Sequence, residues 1–516
     1  MEPISGASAE TLRMLRETIP GMSQAIAPGS RPEVSKADAT TTGIDMTSGI
    51  FGYPLFRPAL QLYAVYTYFV EKFGRHTATG TDAGGDAAHW KQVDAIMSGG
   101  WDGSIAEGAV GATGQNKTSP QSAYFKSLGA EGEVTFEAVS AAQGFDDAKA
   151  METLHTLQRL RHFEEVMDIG GSTTGIAKPG TITATGGTGS GSLVSATTYY
   201  WAVSAFTLHG SGTLPGNTQV TGHAAADAPY ETDGSAGSGA PGGSNTNITL
   251  TWAAVPGAVG YNVYIGTTAT VQFLATVNQN KYTVLTSTQT SANVPNTANQ
   301  TANALHYDGF LLQASLWSNP AGITLPDGTT FSNFYDMAGA PFTASGYGSV
   351  VEIDTMLQRL FQALLVGFDE LVISSREAIN LRNKILSATA GSSSTGAPGA
   401  FRLVLNDKAD GLTGGAIFAS YLNPLMPEQP IKVKVHPFFP PGTAVGMTSK
   451  LPSYYPNANL PGGTTWGKEL RRDYYGVDYA IAKTTGRMYP FGNYLEGVLA
   501  GFFPGGTVVF SGIGNG

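Results

Sequence analysis

The sequence has no cysteine among its 516 residues. Disulfides, thiol nucleophiles and cysteine-ligated zinc are thereby excluded, and stability has to come from burial or assembly. Charge is also scarce, at 13% of residues, against roughly 25% in an ordinary globular domain. The formal net charge is −10, and no stretch clusters Lys and Arg in the way that tight phosphate neutralisation requires. Tight binding to nucleic acid is therefore not expected, whereas a surface that only encloses DNA, without sequence-specific binding, needs no such patch. No apolar run reaches the ~18 residues of a membrane span; the most apolar strand-like run, LVSATTYYWAVSAF from Leu193 to Phe206, is broken by Ser and Thr. The opening MEPISGASAE lacks the basic and then apolar character of a signal peptide, so the expectation is no membrane and assembly in a cytoplasm.

Glycine, by contrast, is abundant, with 67 residues, about twice the average share. A chain of this length divides by the usual domain size into about three folding units. Abundant glycine with sparse charge describes a protein rich in strands and loops, whose polar surface suits burial against other subunits.

Residues 1–58 read as an N-terminal arm. A short amphipathic helix opens it, with Ser8 as N-cap and Leu12, Leu15 and Ile19 on one face, and Pro-, Gly- and Thr-rich chain follows. Residues 59–73, ALQLYAVYTYFVEKF, form a buried strand or helix that periodicity leaves open. From Gly74 to Ser140 the chain is a long loop or β-hairpin anchored by Trp90, Trp101, Tyr124, Phe125 and Phe136; a loop of that length implies a task such as reaching a neighbour. The strongest helix spans 145–169, started by Asp146 and Asp147, ended by Gly170 and Gly171, and running roughly 37 Å. Met151, Leu154, Leu157, Leu160 and Val166 form its apolar stripe, with His155, Arg159, Arg161, His162 and Glu165 on a solvated face.

Composition then shifts. Residues 173–301 hold almost no Lys, Arg or Glu and alternate in segments such as TTYYWAVSAF and ITLTW, the pattern of an inserted all-β sandwich. Within it DAPYETDGSAGSGAPGGSNTN reads as a flexible loop, and TGGTGSGS around Gly186 as a domain linker. From residue 302 to 516 an α+β core returns: an amphipathic helix from Val351, a buried strand at Leu371–Ile373, a helix capped by Ser374 or Ser375, and strands in IKVKVHPFF, YYGVDYAIA and RMYPFGNYLEGVLA.

No constellation specifies catalysis, a cofactor or a metal. Glu152 with His155, and His162 with Glu165, have the spacing used in di-metal bundles, but no second helix supplies the matching ligands. GGTTWGKEL from Gly462 imitates a phosphate-binding loop, except that Glu469 stands where Ser or Thr would hold magnesium. The run near Gly186 lacks the strand, helix and distal acid of a dinucleotide site. Strand aromatics of the insertion, Trp252, Tyr261 and Tyr264, are expected in its core rather than as sugar platforms. Arg471 and Arg472 read as rim salt-bridge partners.

Three stretches in order carry a resemblance: FEEVMDIGG, resuming after the insertion at ALHYDGFLLQAS; IDTMLQRLFQALLVGFDELVISSREAINLRNKI; and RRDYYGVDYAIAKTTGRMYPFGNYLEGVLA. Together with the arm and long loop they resemble the tailed-phage major capsid family, the Hong Kong 97 fold. The insertion separately resembles immunoglobulin-like or fibronectin-type-III modules through ITLTWAAVPGAVGYNVYIGTT, although YYWAVSAF precedes ITLTW, the reverse of the standard fibronectin order. The resemblance implies an α+β capsid fold: arm 1–58, extended loop and peripheral domain 59–172, sandwich 173–301, and axial domain with closing strands 302–516. It implies a non-enzymatic virion protein forming hexamers and pentamers of an icosahedral shell around double-stranded DNA, assembled in a bacterial cytoplasm, with a portal as partner. No long charged helical prefix is present, so a separate scaffolding protein is expected. Lys91, Lys117 and Lys126 lie in the loop where some relatives cross-link, without a motif that marks a partner. The sandwich is expected as surface decoration, with host-surface glycan as one contact; the alternative is a carbohydrate-binding virion or tail-associated protein.

Overall fold

The computed structural model describes residues 64–77, 85–95, 104–111, 117–142, 147–224, 226–345, 349–387, 420–426, 430–455, 460, 463–479 and 487–515. The arm at 1–58, its helix near Ser8, Trp101 and Asp146 lie outside them.

The undecided segment before Gly74 resolves into a short helix, α1 (Tyr68–Lys72), which buries Phe69 and Val70. It leads into β1 (Gly74–Thr77), and then come a hairpin of β2 (Ala87–Ala95) and β3 (Lys117–Tyr124), β4 (Lys126–Thr135) and helix α2 (Phe136–Ala142). Trp90 packs edge-on to Phe502 and Phe136 against Tyr489, as anchors do. Tyr124 does not anchor; it is exposed.

The spine helix is α3 (Ala148–Gly170). Asp147 caps it, one carboxylate oxygen accepting from the Lys149 and Ala150 amides at 3.0 Å each. Its terminal glycines are required by close approach, not by a left-handed turn: Gly171 has φ −61, and a Cβ there would stand 2.2 Å from the Tyr307 carbonyl oxygen. The apolar stripe holds only in part. Leu154 is exposed, whereas the last turns bury Glu164, Glu165, Asp168 and His162 beside Leu160 and Ile169. His162 and Glu165 are thus in the interior, contrary to the solvated face read for them, because other elements cover that end of α3 with polar partners.

The C-terminal strands complete the sheet under α3. β17 (Trp466–Asp478) and β18 (Met488–Gly501) pair antiparallel, and the order is β1-β17-β18-β4, with β1 parallel to β17. Phe69, Phe73, Leu160, Ile169, Phe310, Trp466, Leu495 and Leu499 share its core. A second core lies under a six-stranded mixed sheet built from β12 (Phe334–Asp336), β13 (Glu370–Ile373), β14 (Ser420–Tyr421), β15 (Ile431–Val435), β16 (Ala444–Met447) and β19 (Val508–Ser511), in the order β12-β19-β16-β13-β15-β14. Helix α5 (Val351–Leu364), which follows the short α4 (Phe310–Ser315), covers it with Ile353, Met356, Leu357 and Leu360. Helix α6 (Ser375–Ser387) follows β13, and the Ser374 hydroxyl accepts from the Glu377 amide at 3.3 Å.

Between α3 and α4 the chain forms two antiparallel sheets. One contains β5 (Thr183–Gly187), β8 (Asn247–Thr251) and β11 (Lys281–Val284); the other has β10 (Gln272–Val277), β9 (Gly260–Gly266), β6 (Tyr199–Phe206) and β7 (Ser235–Gly239) in that order. Trp201, Trp252, Tyr261, Val263 and Leu250 are buried between them. Two sequence readings are corrected here. The stretch read as a linker contributes β5, and the stretch read as a flexible loop contributes β7 and the fully buried Glu231 and Thr232. Glycine weakens a strand by entropy, but in β7 it is what the neighbour needs: a Cβ on Gly237 would stand 2.5 Å from the Trp201 indole nitrogen. Glu231 accepts from the Tyr264 hydroxyl at 2.5 Å, the Gly222 amide at 2.9 Å and the Asn262 amide at 3.1 Å, so its burial is compensated.

The sandwich is built into the body rather than tethered to it. Phe206, Leu208 and Val259 share the core that contains Ile169 and Phe310, and Leu312 of α4 enters the sandwich core. Asp336 on β12 accepts from the Asn280 side chain at 2.9 Å and the Ala254 amide at 2.8 Å.

Candidate functional site

Two charged assemblies stand out, one buried and one open. The buried one forms at the end of α3. The ammonium of Lys468, on β17, donates to Glu164 at 2.6 Å, to Asp168 at 2.7 Å and to the Tyr307 hydroxyl at 2.9 Å. Tyr307 in turn donates to Asp168 at 2.6 Å. Arg75 on β1 bridges Glu164 at 2.7 Å and Asp473 at 2.6 Å, and Tyr474 donates to Glu164. Lys468, Glu164 and Asp168 are each at most 1% exposed. Burial pushes the Asp168 carboxyl up to about 6, against the pull of Lys468. Burial acts on Glu164 in the same sense, but Lys468 and Arg75 together hold it below the usual carboxylate range. Two cations on Glu164 and one on Asp168 account for the opposite directions.

On the same turn, the adjacent Glu165 accepts from the Phe69 and Val70 amides at 2.9 Å each and pairs with His436 at 2.8 Å. It therefore satisfies free amides at the start of α1 and fixes that helix to α3. His162 packs edge-on to Phe438, ring centroids 5.7 Å apart. At the exposed end, Glu152 lies 3.8 Å from His155 and 4.0 Å from Arg159. Among the described residues no group of three His, Asp or Glu could hold a metal ion. Lys468, which occupies the lysine position of the GGTTWGKEL match, lies in an antiparallel strand with its ammonium between carboxylates, where no phosphate can reach it. Arg471 lies 4.0 Å from Glu496, and Arg472 sits over the Tyr475 ring at 4.6 Å.

The loop lysines divide. Lys117 donates to the Pro320 carbonyl and Lys126 to that of Ala304, while Lys91 is an exposed residue of β2. In the sandwich, Trp252, Tyr261 and Tyr264 are buried, and among the described residues of 173–301 the only exposed large apolar side chains are Val194 and Leu285. Tyr200, Tyr230, Phe273 and Tyr282 are half-buried.

The open assembly is a cavity of about 520 Å³ lined by Tyr68, Lys72, Asp369, Glu370, Lys432, Lys434 and Lys450, with Pro430 at its edge. Four lysines converge from α1, β15 and the segment after β16. This corrects the expectation that basic residues do not cluster: they are scattered in sequence and gathered by the sheet. Glu370 is taken by Lys72 and the Tyr68 hydroxyl, and one Asp369 oxygen accepts from the Ser449 amide at 2.8 Å. Burial raises Glu370. Burial also pulls the Lys72 ammonium down, and Lys432 and Lys434 lower it further against the pull of Asp369. Among the described residues no carboxylate lies within 4.0 Å of the Lys432, Lys434 or Lys450 ammonium.

No protein-family model matches the sequence, and no curated protein matches it. Solved shell structures are similar at low identity. The capsid of a native GTA particle is 9% identical, covering 99% of this chain and 100% of that chain at a TM-score of 0.39. The Cyanophage Pam1 capsid is 7% identical, covering 92% and 99% at 0.39. The holo-SrpI encapsulin complex from Synechococcus elongatus PCC 7942 is 8% identical, covering 89% and 91% at 0.36.

Proposed function

We propose that the chain is the major shell-forming subunit of a tailed-phage head, its copies closing as hexamers and pentamers around double-stranded DNA. The order of elements supports the reading: hairpin, spine helix closed by glycines, then helix, strand, helix and two long closing strands that pair back beside β1 and β4. The observation that carries it is the hairpin. Among the described residues β2 and β3 pair only with each other, and although Trp90 and Lys117 tie them to the same subunit, Val93, Ile105, Val110 and Tyr124 of this excursion are exposed, Val110 by 96%. Its own subunit covers only part of this two-stranded ribbon, and the apolar side chains left exposed call for a further surface, which a neighbouring copy would supply in every repeat of a symmetric shell.

In this reading the buried charge assembly is a brace for the spine, and no residue carries catalysis. The sandwich is a surface decoration anchored in the subunit core, and a portal and a separate scaffolding protein complete the assembly. Electron microscopy of the full-length chain, with and without scaffold, tests it. Closed shells are the expected product; small rings or trimers alone, under every assembly condition, would sink the reading.

A further inference from the structure

We propose that the lysine-lined cavity between α1 and β15 is a docking site for consecutive phosphates of the enclosed nucleic acid, and that it marks the face of the subunit turned toward it. The inference rests on the shell reading and adds a partner contact to it.

Three observations lead there. The alternation of β15 puts Lys432 and Lys434 on one face, about 6.6 Å apart by strand rise, a spacing that neighbouring phosphates of one strand can meet. The two carboxylates in the lining are engaged, Glu370 by Lys72 and Tyr68 and Asp369 by the Ser449 amide. That leaves Lys432, Lys434 and Lys450 exposed and, among the described residues, with no carboxylate within 4.0 Å; Lys432 and Lys434 act on Glu370 only at longer range. In a chain with only 29 basic residues against 39 acidic ones, this local surplus is out of proportion. Lysine is a point charge on a flexible stem, suited to phosphate positioning without base readout.

The rival occupant is an acidic protein segment. A second copy of this chain does not offer one, because nowhere in the sequence do more than two acidic residues run together. A phosphate polymer presents regularly repeated charge and is the better match.

The test uses the unassembled full-length chain and a fluorescein-labelled duplex oligonucleotide, with anisotropy read over a salt series. K432Q/K434Q is expected to make the slope of log affinity against log salt shallower by about two, and K450Q by about one. K178Q, which removes a cation paired with Asp233 on the sandwich, leaves the slope unchanged. As a second measurement, duplex DNA protects Lys432, Lys434 and Lys450 from acetylation more than Lys178. The proposal is overturned by a wild-type chain that binds no duplex, by a folded double variant with the parental slope, or by poly-glutamate displacing DNA at matched charge, which would assign the cavity to an acidic protein. Shell formation is scored separately by microscopy. Shells from K432Q/K434Q with weakened DNA binding support the inference, whereas a wild type that never forms shells removes the assembly reading whatever the cavity binds.

Discussion

Lys468 of β17 holds Asp168 of α3 at 2.7 Å in a site at most 1% exposed to solvent, so the last long strand pair and the spine helix are joined by a cation that water does not screen. Breaking such a pair from one side leaves uncompensated buried charge. Lys468→Met is expected to destabilise the subunit by about 3–5 kcal/mol, read as a lower denaturation midpoint in urea. A variant within about 0.5 kcal/mol of wild type would show that the assembly adds nothing to stability.

Asp168 also sets a pH dependence. Its carboxyl, pushed up from 3.8 to about 6 by burial, binds a proton more tightly folded than unfolded. Its contribution is full below 3.8 and is lost as pH rises through about 6. The stability difference between wild type and Asp168→Asn therefore shifts against wild type as pH rises through that window. A difference that stays flat contradicts the assignment.

His209 works in the opposite sense. Burial, reinforced by His306 with ring centroids 4.4 Å away, lowers it from 6.5 to about 4. Its contribution is present above 6.5 and lost as pH falls through about 4. Because His209 lies 3.3 Å from the Gly170 carbonyl oxygen, acid is expected to loosen the base of the sandwich first. Limited proteolysis at falling pH reads this out, and His209→Gln shows a weaker dependence.

Removing residues 173–301 tests whether the sandwich is separable. The deletion takes away Phe206, Leu208 and Val259 and bares Ile169 and Phe310 of the shared core. The expected result is an insoluble or molten chain, recognised by dye binding and lost near-ultraviolet circular dichroism. A soluble, cooperatively unfolding deletion that still forms shells would show the sandwich to be dispensable.

Val110→Asp separates folding from assembly. The side chain is 96% exposed, so urea stability changes by less than about 0.5 kcal/mol. On the shell reading, yield falls, because a charge enters a surface that a neighbouring copy would cover. Equal yields would place Val110 outside any contact.

Much of this was legible in the sequence, and the misses have physical causes. The spine helix, its Asp147 cap and its glycine stop follow from local rules. So does the buried strand β13 between α5 and α6, because an apolar run between amphipathic helices has one place to go. The burial of Glu164, Glu165 and Asp168 was not legible: a carboxylate reads as surface until its partner is known, and Lys468 stands 304 residues from Glu164. The strand β7 was hidden by glycine and serine, whose small size admits the Trp201 ring. The lysine cavity was hidden because Lys72, Lys432 and Lys450 share no local pattern.

That separation of 304 residues also sets an order of events during synthesis. Asp168 and Glu164 leave the ribosome long before Lys468, although Arg75, the other cation on Glu164, is made earlier, and β4 waits longer still for β18. Domains fold from the N-terminal side as the chain emerges, but this one stays open until its closing strands are made. A nascent chain therefore has no finished spine until its last strands have been made.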